Sequence, residues 1–337
     1  MTTQEAVPAT ETLTFVAAVN RALDEALATD PAVVLWGEDI ADGQGGGVFK
    51  TTAGLSSKYG DARVRSTPIS ESAIVGAAIG AALAGMRPVV EIMMMNFIAV
   101  AMDQITNHAA KQRYMSGGQR GVPLTIRTVA GANGGFGAQH SDMLEAWFAH
   151  TPGLKVVVPS TPHDAKGLLL SCIFDDDPCI FMESASLLYG APAGPVPAAG
   201  ERIPLGRANV VRSGSDVSVV TYGRPVHRAL AVAERLAGEG IDVEVVDLRT
   251  ISPLDVTTIL ESVARTKRAV IVHEAVGRFG VGAEVAAVLA EDLYGELLAP
   301  VRRVTGGFAP IPYAQNLESA VLPGEADIED AVRKAVH

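Results

Sequence analysis

The sequence is poor in cysteine, in clustered basic charge and in long apolar runs, and each shortage removes a class of protein. Its two cysteines, Cys172 and Cys179, are too few for a disulfide framework and lack the paired spacing of a zinc site. A reducing compartment such as the cytoplasm fits that usage. Acidic residues outnumber basic ones 38 to 27, for a formal charge of −11, and no basic run occurs. Nucleic acid and anionic membrane surfaces are therefore not expected as partners, since both are held by clustered Lys and Arg. An acidic face would suit a basic protein partner instead. The most membrane-like stretch, Ala73–Ala84, falls short of the roughly 20 apolar residues that cross a bilayer. It reads as a buried helix whose Gly76 and Gly80 let another backbone approach, within the fold or across a subunit interface. Met1–Glu11 has no basic start and no apolar run, so neither a secretory signal nor an Arg-rich transit peptide is expected.

Common catalytic signatures are missing too. There is no G-x-S-x-G elbow, no H-E-x-x-H zinc helix and no G-x-x-x-x-G-K-[ST] phosphate loop. His140, Ser141 and Asp142 are neighbours in the chain, which by itself does not make a triad. The glycines Gly277, Gly280 and Gly282 come closest to a dinucleotide fingerprint. They fail because Val285 stands where a third small residue belongs and the loop after the preceding strand is too long for the tight turn.

At 337 residues the chain exceeds the roughly 100–200 of one domain, and 48% hydrophobic content supplies two cores. Short Val- and Ile-rich runs alternate with helical patterns: Val33–Gly37, Pro88–Met94, Leu124–Val129, Lys155–Pro159, Val217–Tyr222, Val243–Leu248 and Ala269–His273. Runs apolar on both faces and joined by helices indicate parallel sheets covered on both sides, an α/β chain of two doubly wound domains. The Pro- and Gly-rich stretch Gly190–Gly200 stops any helix or central strand. It separates a first domain, residues 13–190, from a second, residues 202–337, with 191–201 as linker.

Among polar residues in apolar surroundings, Glu71 and His140 stand out. Glu71 closes the segment Ser66–Glu71, just ahead of the small-residue helix. Ser70 or Thr67 could cap that helix, and Glu71 could be no more than a carboxylate favoured by its dipole. His140 sits in the glycine-rich loop Gly134–Asp142, beyond the strand Leu124–Val129. Strand C-terminal ends are where open parallel sheets bind ligands, but a lone His is as readily structural.

The ordered motifs Thr67–Glu71, Arg87–Glu91, Asn96 with Phe97, Tyr114–Gly118, Ala138–Ser141, Pro152–Val156, Asp164–Leu168, Leu248–Ile251 and Pro310–Ala314 make the chain recognisable. From about Leu13 to Ala331 it resembles the beta subunit of the thiamine-diphosphate-dependent decarboxylating component of pyruvate, branched-chain and acetoin dehydrogenase complexes. The resemblance implies a transketolase-like pyrimidine-binding domain followed by a transketolase C-terminal-like domain. It implies that Glu71 hydrogen-bonds the ring nitrogen of thiamine's aminopyrimidine and so favours the imino tautomer that generates the ylide. By the same resemblance Phe97 stacks on the pyrimidine and His140 is an active-site histidine. Some members hold a potassium ion. The matching positions are Leu124, Cys172 and Ile173, through backbone carbonyls, with Asp175 and Asp177; Asp175–Pro178 could equally be a solvated acidic turn.

The chain has no Gly-Asp-Gly, the stretch with which thiamine-diphosphate enzymes begin their diphosphate and magnesium site. The resemblance therefore implies an alpha subunit that supplies magnesium and the diphosphate, in a heterotetramer of two alpha and two beta chains. A lipoyl transacylase would accept the acyl unit, and a small 2-oxo acid, pyruvate first, would be the substrate. Met93–Met95 share features with both pyruvate and acetoin enzymes, and Glu183–Tyr189 lacks a basic residue that many relatives carry, which bears on substrate choice. Two other functions remain open on the sequence: a complex-independent transketolase-like transferase of two-carbon units, and a non-catalytic scaffold subunit.

Overall fold

The computed structural model describes residues 11–337; Met1–Thr10, where no targeting signal is expected, lies outside the described residues. In chain order the strands are β1 (Thr12–Leu13), β2 (Val33–Gly37), β3 (Val64–Ser66), β4 (Arg87–Met94), β5 (Thr125–Ala130), β6 (Lys155–Val157), β7 (Cys179–Ser184), β8 (Gly194–Pro195), β9 (Asn209–Arg212), β10 (Val217–Thr221), β11 (Val243–Asp247), β12 (Thr250–Ser252), β13 (Ala269–Val276) and β14 (Arg302–Gly306). They form a seven-stranded sheet ordered β12-β6-β7-β5-β4-β2-β3, a five-stranded sheet ordered β14-β13-β10-β11-β9, and the short pair β1-β8. Burial follows composition. Every residue of β5 and of β10 is buried, as expected of strands sandwiched between helices.

All seven runs expected as strands are strands, with ends shifted by up to three residues. The expectation of wholly parallel sheets is corrected at two edges, where β9 runs antiparallel to β11 and β12 antiparallel to β6. An edge strand has one neighbour and no crossover helix to direct it, so its orientation is free of the βαβ constraint. Strands β3 and β12 have three residues each, too few to show a period.

The helix expected at Ala73–Ala84 runs Glu71–Leu83 and is buried on one face only, through Ile74, Val75, Ala78, Ile79 and Ala82. Ala73, Ala77 and Gly80 are exposed. The sequence could not reveal this because both faces are apolar. The glycines of 277–282 also have a different use. A Cβ on Gly282 would stand 2.7 Å from Nε2 of the buried His273, so the helix start is kept bare to fit that ring rather than a pyrophosphate.

The stretch between the domains is firmly held. Lys166, buried in the helix Pro162–Ile173, donates to the carbonyls of Pro197 (2.8 Å) and Ala198 (3.1 Å) and pairs with Glu25. The second domain returns a strand to the first sheet, with Thr250 beside Val157 and the Val158 amide on the Arg249 carbonyl at 2.8 Å. One apolar core then runs through both sheets, from Ile126 and Val156 to Tyr222, Val246 and Ile271.

Asp247 sits at this junction, fully buried, accepting from Ser160 Oγ and from the Arg249 amide. Burial, then repulsion from Asp164, pushes its carboxyl up to about 7. A carboxyl that binds its proton more tightly folded than unfolded stabilises the fold below its unfolded value, and that contribution is lost as pH rises through about 7. Denaturant titrations from pH 4 to pH 8 are expected to show wild-type stability falling relative to Asp247→Asn by roughly 3–4 kcal/mol, at about 1.4 kcal/mol per pH unit. Parallel curves would refute the assignment.

Candidate active site

Three strands of the first sheet end at one edge and launch the residues singled out above. After β3 the chain turns through Thr67–Ser70 into the helix Glu71–Leu83, putting Glu71 at its first position. After β4 comes a 3-10 segment, Met95–Ala101, carrying Phe97. After β5 comes the glycine-rich loop with His140. With β4 and β5 adjacent and β2 alone between β4 and β3, the carboxyl ends of these strands form one rim.

Contacts tie the three segments together. The rings of Phe97 and His140 meet edge to face, centroids 5.3 Å apart at 79°. Asn96 donates to the Asp142 carboxylate at 2.6 Å and accepts from the Asp142 amide at 3.2 Å, latching the His140 loop to the Phe97 segment. Ser72 Oγ donates to the Val100 carbonyl at 2.6 Å, which joins the start of the Glu71 helix to the far end of that segment.

Glu71 is half-buried, and Ser70 makes no side-chain cap bond. Glu38 lies just past β2, and burial, then repulsion from Glu71, raise its carboxyl above the ordinary range. The hydroxyls of Thr67 and Ser141, one near Glu71 and one next to His140, are buried without a partner.

Below the rim, Arg127 is 2% exposed between two carboxylates. It meets Glu91 Oε2 at 2.8 Å and Glu183 Oε1 at 2.6 Å, bridging β4, β5 and β7. Burial alone would lower the proton affinity of the guanidinium, but Glu183 and Glu91 hold it above its ordinary value. Burial lifts Glu183 to about 7 even beside Arg127.

The five potassium-implied positions gather at a turn on the opposite, amino-terminal edge of the sheet, where the helix Pro162–Ile173 returns to β7. Both carboxylates there already have cationic partners: Lys155 Nζ lies 2.6 Å from Asp175 Oδ1, and Arg113 Nε 2.5 Å from Asp177 Oδ1. The Leu124 carbonyl accepts from the Cys179 amide, and the Ile173 carbonyl faces Arg87 at 3.5 Å. Among the described residues no group of three or more His, Cys, Asp and Glu could hold a metal. Beyond the expected residues, the structure adds Glu38 and the Asn96–Asp142 latch. The place of Glu38, one residue past a strand end, was the only signal of it in the sequence.

The transketolase pyrimidine-binding domain model matches residues 11–190 and the transketolase C-terminal domain model residues 206–328. The chain is 50% identical over 327 residues to the acetoin:2,6-dichlorophenolindophenol oxidoreductase subunit beta of Cupriavidus necator, covering 95% of this chain and 96% of that one. It is 46% identical to the mitochondrial pyruvate dehydrogenase E1 component subunit beta-1 of Arabidopsis thaliana (95% and 88% covered) and 44% to the human mitochondrial subunit beta (98% and 92%). Among solved structures it is similar to a split-gene transketolase described as an inactive beta4 tetramer, with a TM-score of 0.78, 26% identity and 96% and 98% covered. The chain belongs to the transketolase-like beta subunits of thiamine-diphosphate-dependent 2-oxo acid dehydrogenases.

The Arg127 bridge yields a direct test. Replacing the cation while its two carboxylates stay buried costs about 3–5 kcal/mol. Arg127→Met is expected to lose that much in denaturant titration, whereas Arg127→Met combined with Glu91→Gln and Glu183→Gln recovers a large part of it. A single variant as stable as the wild type would mean the bridge is dispensable.

Proposed function

We propose that the chain is the beta half of a pyruvate-decarboxylating enzyme whose thiamine diphosphate lies between it and an alpha subunit, in a heterotetramer of two alpha and two beta chains. The observation that carries this reading is the joining of Glu71, Phe97 and His140 along one sheet rim, through the Phe97–His140 ring contact and the Ser72–Val100 and Asn96–Asp142 bonds. The unpartnered Thr67 and Ser141 hydroxyls and the raised Glu38 carboxyl fit an aminopyrimidine, which brings both hydrogen-bonding groups and a flat ring. Bound there, the cofactor would supply the carbon nucleophile that adds to a keto group.

This chain's residues have distinct tasks. Glu71 holds a proton between its carboxylate and the pyrimidine ring nitrogen. Phe97 offers its ring face to the pyrimidine. His140, braced against Phe97, stands ready to move a proton or steady developing charge on the substrate. The missing Gly-Asp-Gly assigns the diphosphate and its magnesium to the alpha subunit. From the assembled enzyme the acyl unit passes to a lipoyl group of a transacylase, and the two buried free cysteines fit a reducing cytoplasm. Acetoin is the second substrate reading, favoured by the 50% identity to an acetoin oxidoreductase beta subunit.

In the reconstituted alpha–beta enzyme with thiamine diphosphate and magnesium, Glu71→Gln should lower carbon dioxide release from pyruvate roughly 100-fold or more while calorimetry still shows cofactor binding. Near-normal turnover in that variant would remove Glu71 from the chemistry. A panel of pyruvate, branched-chain 2-oxo acids and acetoin, none of them consumed, would sink the function itself.

Potassium, bound by the carbonyls of Leu124, Cys172 and Ile173 beside Asp175 and Asp177, would order the turn ahead of β7. Exchanging potassium for tetramethylammonium at constant ionic strength is then expected to lower the melting temperature, by mass action on the folded state. Identical melting in both salts would count against the ion.

A further inference from the structure

Strand ends launch all three segments, but the Glu71 and Phe97 segments continue as helical turns whereas the His140 loop does not. Between Gly131 and Asp142 it contains no helix or strand, and Gly134, Gly135 and Gly137 adopt φ of +66°, +108° and +72°. Glycines at such angles make a backbone whose shape is set from outside. The outside agents are two buried carboxylates of the C-terminal domain. Glu318, on the helix Gln315–Val321, accepts from the Gly134 amide at 2.9 Å through one oxygen and from the Gly135 amide at 3.0 Å through the other. Glu274, near the end of β13, accepts from the Ala132 amide at 2.7 Å, and a Cβ on Gly131 would stand 2.8 Å from the same oxygen. Ala132, Ile311 and Leu322 close an apolar plug over the junction. At its other end the loop is tied to Asn96 through Asp142.

From this geometry we infer that Glu318, seconded by Glu274, is a positioning residue: the C-terminal domain sets where His140 stands by gripping the backbone of its loop. Three amides on two carboxylates are charge-assisted bonds, stronger than neutral ones and directional enough to choose one loop shape among many. The second domain thereby acts on the reacting centre without touching it. The inference rests on the proposal that His140 works at that centre.

The test uses the assembled alpha–beta enzyme with thiamine diphosphate, magnesium and pyruvate, comparing Glu318→Ala, Glu318→Gln, His140→Ala and the Glu318→Ala/His140→Ala pair. Glu318→Ala should lower kcat roughly 10- to 100-fold, the scale of a displacement near 1 Å, with KM little changed. Glu318→Gln, which keeps one accepting oxygen, should recover part of it. The pair should be no slower than His140→Ala alone, because a loop without its imidazole has nothing left to position. Amide exchange at Gly134 and Gly135 should speed up in Glu318→Ala. Unaltered exchange there, or losses that multiply in the pair, would overturn the clamp. If His140→Ala itself turned over normally, the role proposed for His140 would fall, and the exchange rates would still decide whether Glu318 holds the loop.

Discussion

A single buried cation organises the first domain. Arg127 lies at the centre of the seven-stranded sheet, and its two carboxylate partners come from the strands on either side of its own. Taking three charges out of water is costly, and the mutual attraction offsets that cost only when geometry is good. Slipping β4 or β7 by one residue would turn its glutamate to the opposite face of the sheet and strand the guanidinium. Apolar strands match one another in many registers, so a charge network of this kind selects one. The rim carrying Phe97 and His140 inherits that register, since both follow the strands the bridge aligns.

The second constraint is the joining of the two domains. A shared core, a strand returned to the first sheet and the Asp164–Arg249 ion pair at 2.7 Å make the C-terminal domain part of the first sheet's edge rather than an appendage. From that fixed position its carboxylates reach the glycine-rich loop. Burial and the loop amides define the role of Glu274 and Glu318, and neither would have that role in an isolated domain.

Local pattern made much of the fold legible. Doubly apolar runs announced the central strands of both sheets, because a strand covered on two faces has no polar alternation to confuse it. The short β3 and the half-exposed edge β9 offered no such pattern. The helix after Glu71 shows a different limit. Its uniform small apolar composition gave no amphipathic stripe, so which face turns outward was set by β4 and the segment Met95–Ala109 packing against it. His140 could be noticed from its glycines, and Glu71 from its apolar context, yet a structural reading was as good for His140, and the helix-cap reading better for Glu71, until the family motifs were considered together.

The sequence by itself determined the two-domain α/β organisation, the family, and the shortlist of Glu71, Phe97 and His140, because these depend on residue types and on patterns local in the chain. Only the tertiary structure decided how those three are joined, that the Glu71 charge helps raise Glu38, that the acidic turn at Asp175–Asp177 is matched by Lys155 and Arg113, and that Glu318 grips a loop more than 180 residues earlier in the chain. Each of these is a contact between charges or hydrogen-bonding groups remote in sequence. No local periodicity encodes such pairs; they exist only once the strands have taken their register and the two domains have closed on each other.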